Sequence, residues 1–210
     1  HNRLSVNNLY EAIVQNHLQV GHIHHSAAVA GLSCLNEEER DLGAIVLDMG
    51  GGTTAISAYL DNRIIYANTI ALGGQHITRD IARVLSLSIT ASERLKAIEG
   101  SVMPTVGKAQ QLFAGRFPSQ GDNFVLSHSL SGANSLLLPN GETIERQLLA
   151  DIIRTRLDDI LEAVDSQLER SKIKLHCSGN IVLTGGASQL TGLSDYISSV
   201  WSRSVRIAIP

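Results

Sequence analysis

Apolar and polar positions change period several times along the chain. Residues 6–18 (VNNLYEAIVQNHL) place Leu9, Ile13, Val14 and Leu18 at helical spacing, which predicts a short amphipathic helix. Residues 25–32 (HSAAVAGL) combine high helix propensity with small side chains suited to close packing, and 36–43 (NEEERDLG) read as a charged connection closed by a glycine. Three strands are then expected at 44–48, 54–60 and 63–72, with Asp61-Asn62 as the turn of a hairpin between the last two. Gly73-Gly74 break the pattern, and Ile77, Ile81, Val84 and Leu85 make the apolar stripe of a following helix. A further helix is expected at 90–99, with Thr90 and Glu93 as its capping box and Gly100 as its stop.

From 101 to 140 glycine, proline and serine interrupt any period, and short apolar runs at 124–126 and 136–138 are read as strands of a small irregular layer. A long helix is expected from about Glu142 to about Ser171, because Ile144, Leu148, Ile152, Leu157, Ile160, Leu161, Val164 and Leu168 keep one face apolar. A buried strand at 181–184, a glycine turn at Gly185-Gly186, a helix at about 190–201 and a closing strand in VRIAI complete the chain. This order of strands and helices predicts an α/β fold.

Composition narrows the class. At 210 residues, with 43% hydrophobic and 18% charged residues, the chain is an ordinary globular protein able to bury a core. A net charge of -3 supplies no electrostatic reason to expect nucleic acid as a partner. No apolar run is long enough to span a bilayer, and a secretory leader is not expected. Cys34 and Cys177 have no CxxC spacing, which fits a reducing compartment, so a cytoplasmic location is expected. The chain starts at His1 without a methionine and stops at Pro210 just after a strand-like run, and is therefore expected to be an excised piece.

The candidate chemistry sits in two glycine turns. In IVLDMGGGTTAIS (45–57), Gly50, Gly51 and Gly52 allow main-chain N–H groups to approach an anion with no Cβ in the way, and Thr53 and Thr54 add hydroxyls. Asp48, at the end of a buried strand, is costly as an isolated charge and makes sense beside Mg²⁺ held through water and phosphate oxygens. The stretch has no P-loop lysine and continues as a strand, so it is not a Walker A motif. Its plain alternative is a tight hairpin whose glycines only satisfy the turn. LTGGAS (183–188) is a second glycine turn, at a strand end and opening toward a helix, where exposed amides favour anionic ligands. Two such turns suggest one ligand between them.

Glu93 and Lys96 in SERLK are three apart on a helix, so a carboxylate for ribose hydroxyls and an ammonium near a purine could share a face. Their plain readings are a capping-box acid and a solvated surface cation. His22 and His24 could share one face of a strand, but with no Cys or acidic residue nearby in sequence they read as solvated or core histidines rather than a metal site. Asp80, Asp151 and Asp158 have no spacing that marks a catalytic base, and Glu37 to Arg40 read as a solvated charge run.

Taken together, IVLDMGGGTTAIS, GGQHITRDIA, SERLKAIEG and IVLTGGASQLTGL resemble the actin/Hsp70/sugar-kinase ATPase superfamily, and within it most closely the FtsA family of bacterial cell-division proteins. The resemblance implies an actin-like (ribonuclease H-like) ATPase lobe, a mixed sheet flanked by helices with a smaller inserted α+β subdomain. It implies ATP and Mg²⁺ as cofactors, with Asp48 near the metal, Gly50, Gly51, Gly52 and Thr53 at the phosphates, and Gly73 and Gly74 by the nucleotide. Glu93 and Lys96 would meet ribose and base, and Gly185, Gly186 and Ser188 would surround the adenosine. Ala187 stands where the family often has glycine, which implies a slightly narrower approach to the base.

The resemblance also divides the chain. Residues 1–25 correspond to the tail of subdomain 1C, 26–75 with 141–210 to the nucleotide-binding subdomain 2A, and 76–140 to subdomain 2B. The first lobe's own phosphate hairpin does not precede Ile45. In the intact protein the resemblance implies self-association into filaments, binding of the tubulin-like FtsZ through the 2B-like region, contact with other division proteins, and attachment to the inner face of the membrane at midcell through a C-terminal amphipathic helix beyond Pro210. Any ATP hydrolysis would be metal-assisted attack by water, with Asp48 orienting Mg²⁺. A sugar or acid kinase and an Hsp70-like chaperone ATPase of the same superfamily are the alternatives. The first requires a base and an acceptor pocket, the second a peptide-binding region, and neither is legible in these residues.

Overall fold

The computed structural model describes residues 3–103, 135–173 and 179–209. Three helices, α1 (Arg3–Val14), α2 (Ser26–Cys34) and α3 (Glu37–Leu42), precede strands β1 (Ala44–Met49), β2 (Thr54–Leu60) and β3 (Arg63–Ile70). Helices α4 (Gly74–Val84) and α5 (Ile89–Glu99) follow, then the short strands β4 (Ser135–Leu137) and β5 (Thr143–Glu145) and the long helix α6 (Arg146–Arg170). Strand β6 (Ile181–Thr184), a 3₁₀ turn (Gly186–Gln189), α7 (Leu193–Trp201) and β7 (Val205–Ile207) end the fold.

The five-stranded sheet has the order β3-β2-β1-β6-β7. β1 to β3 form an antiparallel meander, whereas β1 to β6 and β6 to β7 are parallel, so the sheet is mixed. Two helical layers explain the near-continuous apolar strands. Ile45, Leu47 and Met49 face the larger core, with Ile77 and Ile81 of α4, Ile153, Leu157, Ile160 and Val164 of α6, and Ile197 of α7. Ala44, Val46, Tyr59 and Val182 face the smaller one, closed by Cys34 and Leu35 at the end of α2. A central strand covered on both faces buries alternate residues in different cores, which is why β1 reads as one apolar run. The Tyr59 hydroxyl donates to the Ala28 carbonyl at 2.5 Å, anchoring α2. By contrast, α1 buries none of its residues.

Several sequence readings shift. α5 begins at Ile89 with Ser88 as its N-cap, whose hydroxyl accepts from the Ala91 amide at 3.2 Å, so Thr90 and Glu93 do not form the expected capping box. A capping box does form at α3, in the stretch read as a charged connection: the Asn36 side chain accepts from the Glu39 amide and Glu39 accepts from the Asn36 amide. Glu39 is not a solvated charge either, because it takes Arg206 of β7 on both carboxylate oxygens at 2.7 Å. α6 starts at Arg146 rather than near Glu142, since residues 143–145 pair with β4 as a hairpin strand. α7 starts at Leu193 rather than near Leu190. The Asp61-Asn62 turn is as expected, with φ of 50° and 57°, the mirror-image geometry that matches strand twist. The strand expected at 124–126 lies outside the described residues.

Candidate functional site

β1 and β6 run parallel with Asp48 opposite Thr184, so the glycine turns that follow each strand leave the same end of the sheet. In open α/β sheets this carboxyl end is where ligands collect. The first turn closes with the Gly50 amide donating to the Thr53 carbonyl at 2.9 Å. α4 then docks on it from outside: the Gly74 amide donates to the Gly50 carbonyl at 2.9 Å and the Gln75 amide to the Gly51 carbonyl at 2.7 Å. In a trans peptide the N–H points opposite to the C=O, so these two bonds turn the Gly51 and Gly52 amides away from α4. Among the described residues, neither those amides nor that of Thr53 has a protein acceptor.

The second turn is seated on the end of β1. Gly185 has φ 85° and ψ 168°, a conformation open only to glycine, and a Cβ there would stand 2.5 Å from Asp48 Oδ1 and 2.7 Å from the Met49 carbonyl. Ser188, fully buried, donates its hydroxyl to the Gly185 carbonyl at 2.7 Å and so braces the turn. The carboxylate of Asp48 is half-buried and makes no hydrogen bond or ion pair among the described residues. A half-buried carboxylate with no donor from the protein could hold a hydrated cation.

A cleft of about 1150 Å³ opens beside these turns, walled by the first turn, the start of α4, one face of α5 and the 3₁₀ turn. On the α5 wall the Lys96 ammonium donates to the Gly74 carbonyl at 3.1 Å, to Thr78 Oγ1 at 2.8 Å and to Glu93 Oε2 at 2.8 Å, while the Thr78 hydroxyl donates to the same Glu93 oxygen. Burial pushes the Glu93 carboxyl up, but the hydrogen bonds from Lys96 and Thr78 outweigh it and hold the group below the usual range. The Glu93 side chain is 53% exposed and its Oε1 accepts nothing from the described residues, whereas Lys96 is 11% exposed with all three donors engaged.

Of the residues singled out in the sequence, Gly50, Gly51, Gly74, Glu93, Lys96 and Gly186 come together as walls of this cleft. Asp48, Gly52, Thr53, Gly73, Gly185 and Ser188 do not line it. Gly73 lies behind it, where a Cβ would meet the Gly50 and Gly51 carbonyls and the Thr53 amide at 2.6–2.8 Å, so its role is to let α4 approach the first turn. Sequence reasoning missed Gln75, Arg79 and Arg94, polar wall residues that carry no periodic signal, although Gln75 and Arg79 lie within GGQHITRDIA and Arg94 within SERLK. Two arginines and a set of open amides suit a polyanion. The His22 and His24 rings stack at 5.9 Å between centroids, and among the described residues no three His, Cys, Asp or Glu side chains gather as a metal site.

Comparison with known proteins gives a consistent picture. The profile of the family described as "Cell division protein FtsA" matches residues 45–210. FtsA of Rhizobium meliloti is 33% identical over 99% of this chain and 44% of its own length, and FtsA of Escherichia coli K12 is 28% identical over 97% of the chain and 46% of its own. The chain thus spans less than half the length of these relatives. Among solved structures, MreB5 of Spiroplasma citri bound to ADP superposes with a TM-score of 0.72 at 16% identity, covering all of this chain and 61% of MreB5. The PilM-PilN type IV pilus biogenesis complex gives 0.64 at 20% identity, over 97% of this chain and 47% of that one. The fold is that of the actin-like ATPases. Among the described residues no helix is long and apolar enough to cross a membrane.

Proposed function

The chain belongs to the FtsA family of cell-division proteins, and on that premise we propose that its cleft binds ATP with Mg²⁺ as the nucleotide-binding lobe of an actin-like division protein. The observation that carries this reading is the convergence of two glycine turns at the carboxyl end of neighbouring parallel strands, beside one cleft. The amides of Gly51, Gly52 and Thr53, with that of Gly186, would take phosphate oxygens, and Gly73, Gly74, Gly185 and Ser188 would hold the two turns in place. Asp48 would face Mg²⁺ through its hydration shell, where the ion offsets phosphate charge. Glu93 Oε1 is the free acceptor for ribose hydroxyls, and Gly186, Ala187 and the α5 wall would flank the adenosine, with Lys96 close to the purine side. MreB5 of S. citri has been solved with ADP and with AMPPNP, which supports a nucleotide in this fold.

For the whole protein, we propose polymerisation into actin-like filaments, recruitment of FtsZ through residues 76–140 as a 2B-like region, contacts with other division proteins, and attachment to the cytoplasmic membrane through a helix outside these 210 residues. Residues 1–25 are assigned to the 1C tail and 26–75 with 141–210 to subdomain 2A. Calorimetric titration with ATP and Mg²⁺ tests the site. Micromolar to millimolar binding that requires Mg²⁺ supports it, and no heat with either nucleotide or metal refutes it. Because actin-like proteins close two lobes over the nucleotide, this chain alone should bind more weakly than the complete protein; equal affinities would contradict the lobe assignment. Co-sedimentation of the full-length protein with FtsZ filaments tests the partner.

A further inference from the structure

Leu190 and Thr191 are walls of the cleft, as is Gly100, whereas among the described residues none of α6 lines it. Arg154 of α6 nevertheless reaches both neighbours of that wall. Ser101 pairs with Thr191 as an isolated parallel bridge, and the Val102 amide donates to the Thr191 carbonyl at 2.9 Å. Val102 is fully buried, and its own carbonyl accepts from the Arg154 guanidinium at 2.9 Å. The same guanidinium carbon lies 5.9 Å from the centroid of the Tyr196 ring, within reach of a cation–π contact. Tyr196 is in the first turns of α7, where its amide donates to the Gly192 carbonyl at 3.0 Å. Its hydroxyl donates to Asp158, back on α6. Burial, and then the Asp158 carboxylate, push the pKa of that hydroxyl up to about 12, so it stays a donor at neutral pH.

Residues 190–192 are thus tied on one side to Val102 and on the other to Tyr196, and Arg154 touches both. The segment turns sharply between them, because Gly192 has the left-handed φ of 79°, and a Cβ there would stand 3.7 Å from Met103. We propose that Arg154 is a positioning residue: by joining Val102 to Tyr196 it holds residues 190–192 against 101–102 and so sets the wall of the cleft that would meet the base. Arginine suits this joint because its planar fork gives a hydrogen bond at its edge while its face lies on a ring. Lysine would keep the charge and a donor for the carbonyl but has no flat face. The ligand part of this proposal rests on the nucleotide reading above; the joint itself does not.

The test is residue-resolved amide hydrogen exchange on the intact 210-residue chain without ligand. It compares wild type with Arg154→Met, which keeps the aliphatic stem, and with Arg154→Lys. In Arg154→Met the Val102 amide should exchange about tenfold faster while those of β1 and β6 stay unchanged, the signature of a local opening. Arg154→Lys should recover part of the protection, since it still has a donor for the Val102 carbonyl. Unchanged exchange at Val102, or an equal rise throughout the sheet, would overturn the joint; should Arg154→Met fail to fold, Tyr196→Leu, which removes the ring, decides by the same readout. Titration with ATP and Mg²⁺ then reads the ligand part: affinity should fall about fivefold in Arg154→Met and less in Arg154→Lys. Equal affinity in wild type and Arg154→Met overturns that part. Wild type that binds no ATP refutes the nucleotide reading and leaves the exchange result to judge the joint.

Discussion

Two glycine turns of similar sequence leave neighbouring strands at the same end of the sheet, and Gly185 of the second does work opposite to that of Gly51 and Gly52 of the first, whereas Gly186 is as open as Gly52. In the turn after β1, a Cβ added to Gly52 would meet nothing within 4 Å, and one on Gly51 would meet only the flexible end of Gln75 at 3.4 Å. In the turn after β6, a Cβ on Gly185 would strike Asp48 Oδ1 and the Met49 main chain, and its backbone angles admit no other residue. Nothing in the fold requires glycine at Gly51 or Gly52, which is what the proposed approach of phosphate to a bare main chain calls for. Gly185 and Gly73 are needed by the protein itself. Glycine motifs thus mix residues that build a site with residues that clear space for a ligand, and the added-Cβ distance separates the two.

The largest effects should come from the framework glycines. Gly185→Ala combines a glycine-only conformation with a backbone clash and should lower stability by about 3 kcal/mol, as should Gly73→Ala from its clash alone, read from urea unfolding midpoints. If either variant unfolds at the wild-type midpoint, the division into two classes is broken. Next comes Gly51→Val, which should leave the midpoint within about 1 kcal/mol and lower ATP affinity by about 100-fold, because the new side chain fills the space over the turn. Unaltered affinity in that variant would remove the phosphate assignment.

Asp48→Asn should act on the metal alone, reducing the gain in ATP affinity given by Mg²⁺ by about tenfold while leaving the fold as stable as before, since the carboxylate has no partner among the described residues to lose. Loss of stability instead would make Asp48 a structural group. The smallest effect is a control remote from both turns. The hydrogen bond from Arg206, opposed by burial, holds the Glu39 carboxyl below the usual range, so its stabilisation is present above the ordinary carboxylate pKa and is lost as pH falls through the folded one. With Arg206 39% exposed, Glu39→Gln should cost only about 0.5 kcal/mol at pH 7 and nothing in acid, with ATP affinity unchanged. A fall in affinity would show that the turns are less local than described.

The strands and the turns were legible because their signals are local. β1 and β6 are short apolar runs ending in Gly-Gly, and the Asp61-Asn62 hairpin carries its own turn chemistry. Part of what failed depends on partners distant in sequence, whereas the Asn36-Glu39 capping box and the Ser88 cap are local signals that were read otherwise. Ile144 continues the helical stripe of α6, yet it and Thr143 are strand because Leu136 and Leu137 lie alongside them. Glu93 sits three residues after Thr90, a good capping pattern, but Ser88 takes the cap and frees Glu93 for Lys96 and Thr78. Gly73 permits a close approach of two backbones and Ser188 braces its turn, two framework contacts that no local pattern in the sequence announces.

One measurement bears on the central claim most directly: a titration with ATP and Mg²⁺ followed by the amide signals of Gly51, Gly52 and Gly186 in a ¹⁵N-labelled protein. If both turns hold one triphosphate, all three signals shift together along a single binding curve. Shifts at one turn only, or two curves with different midpoints, would contradict it.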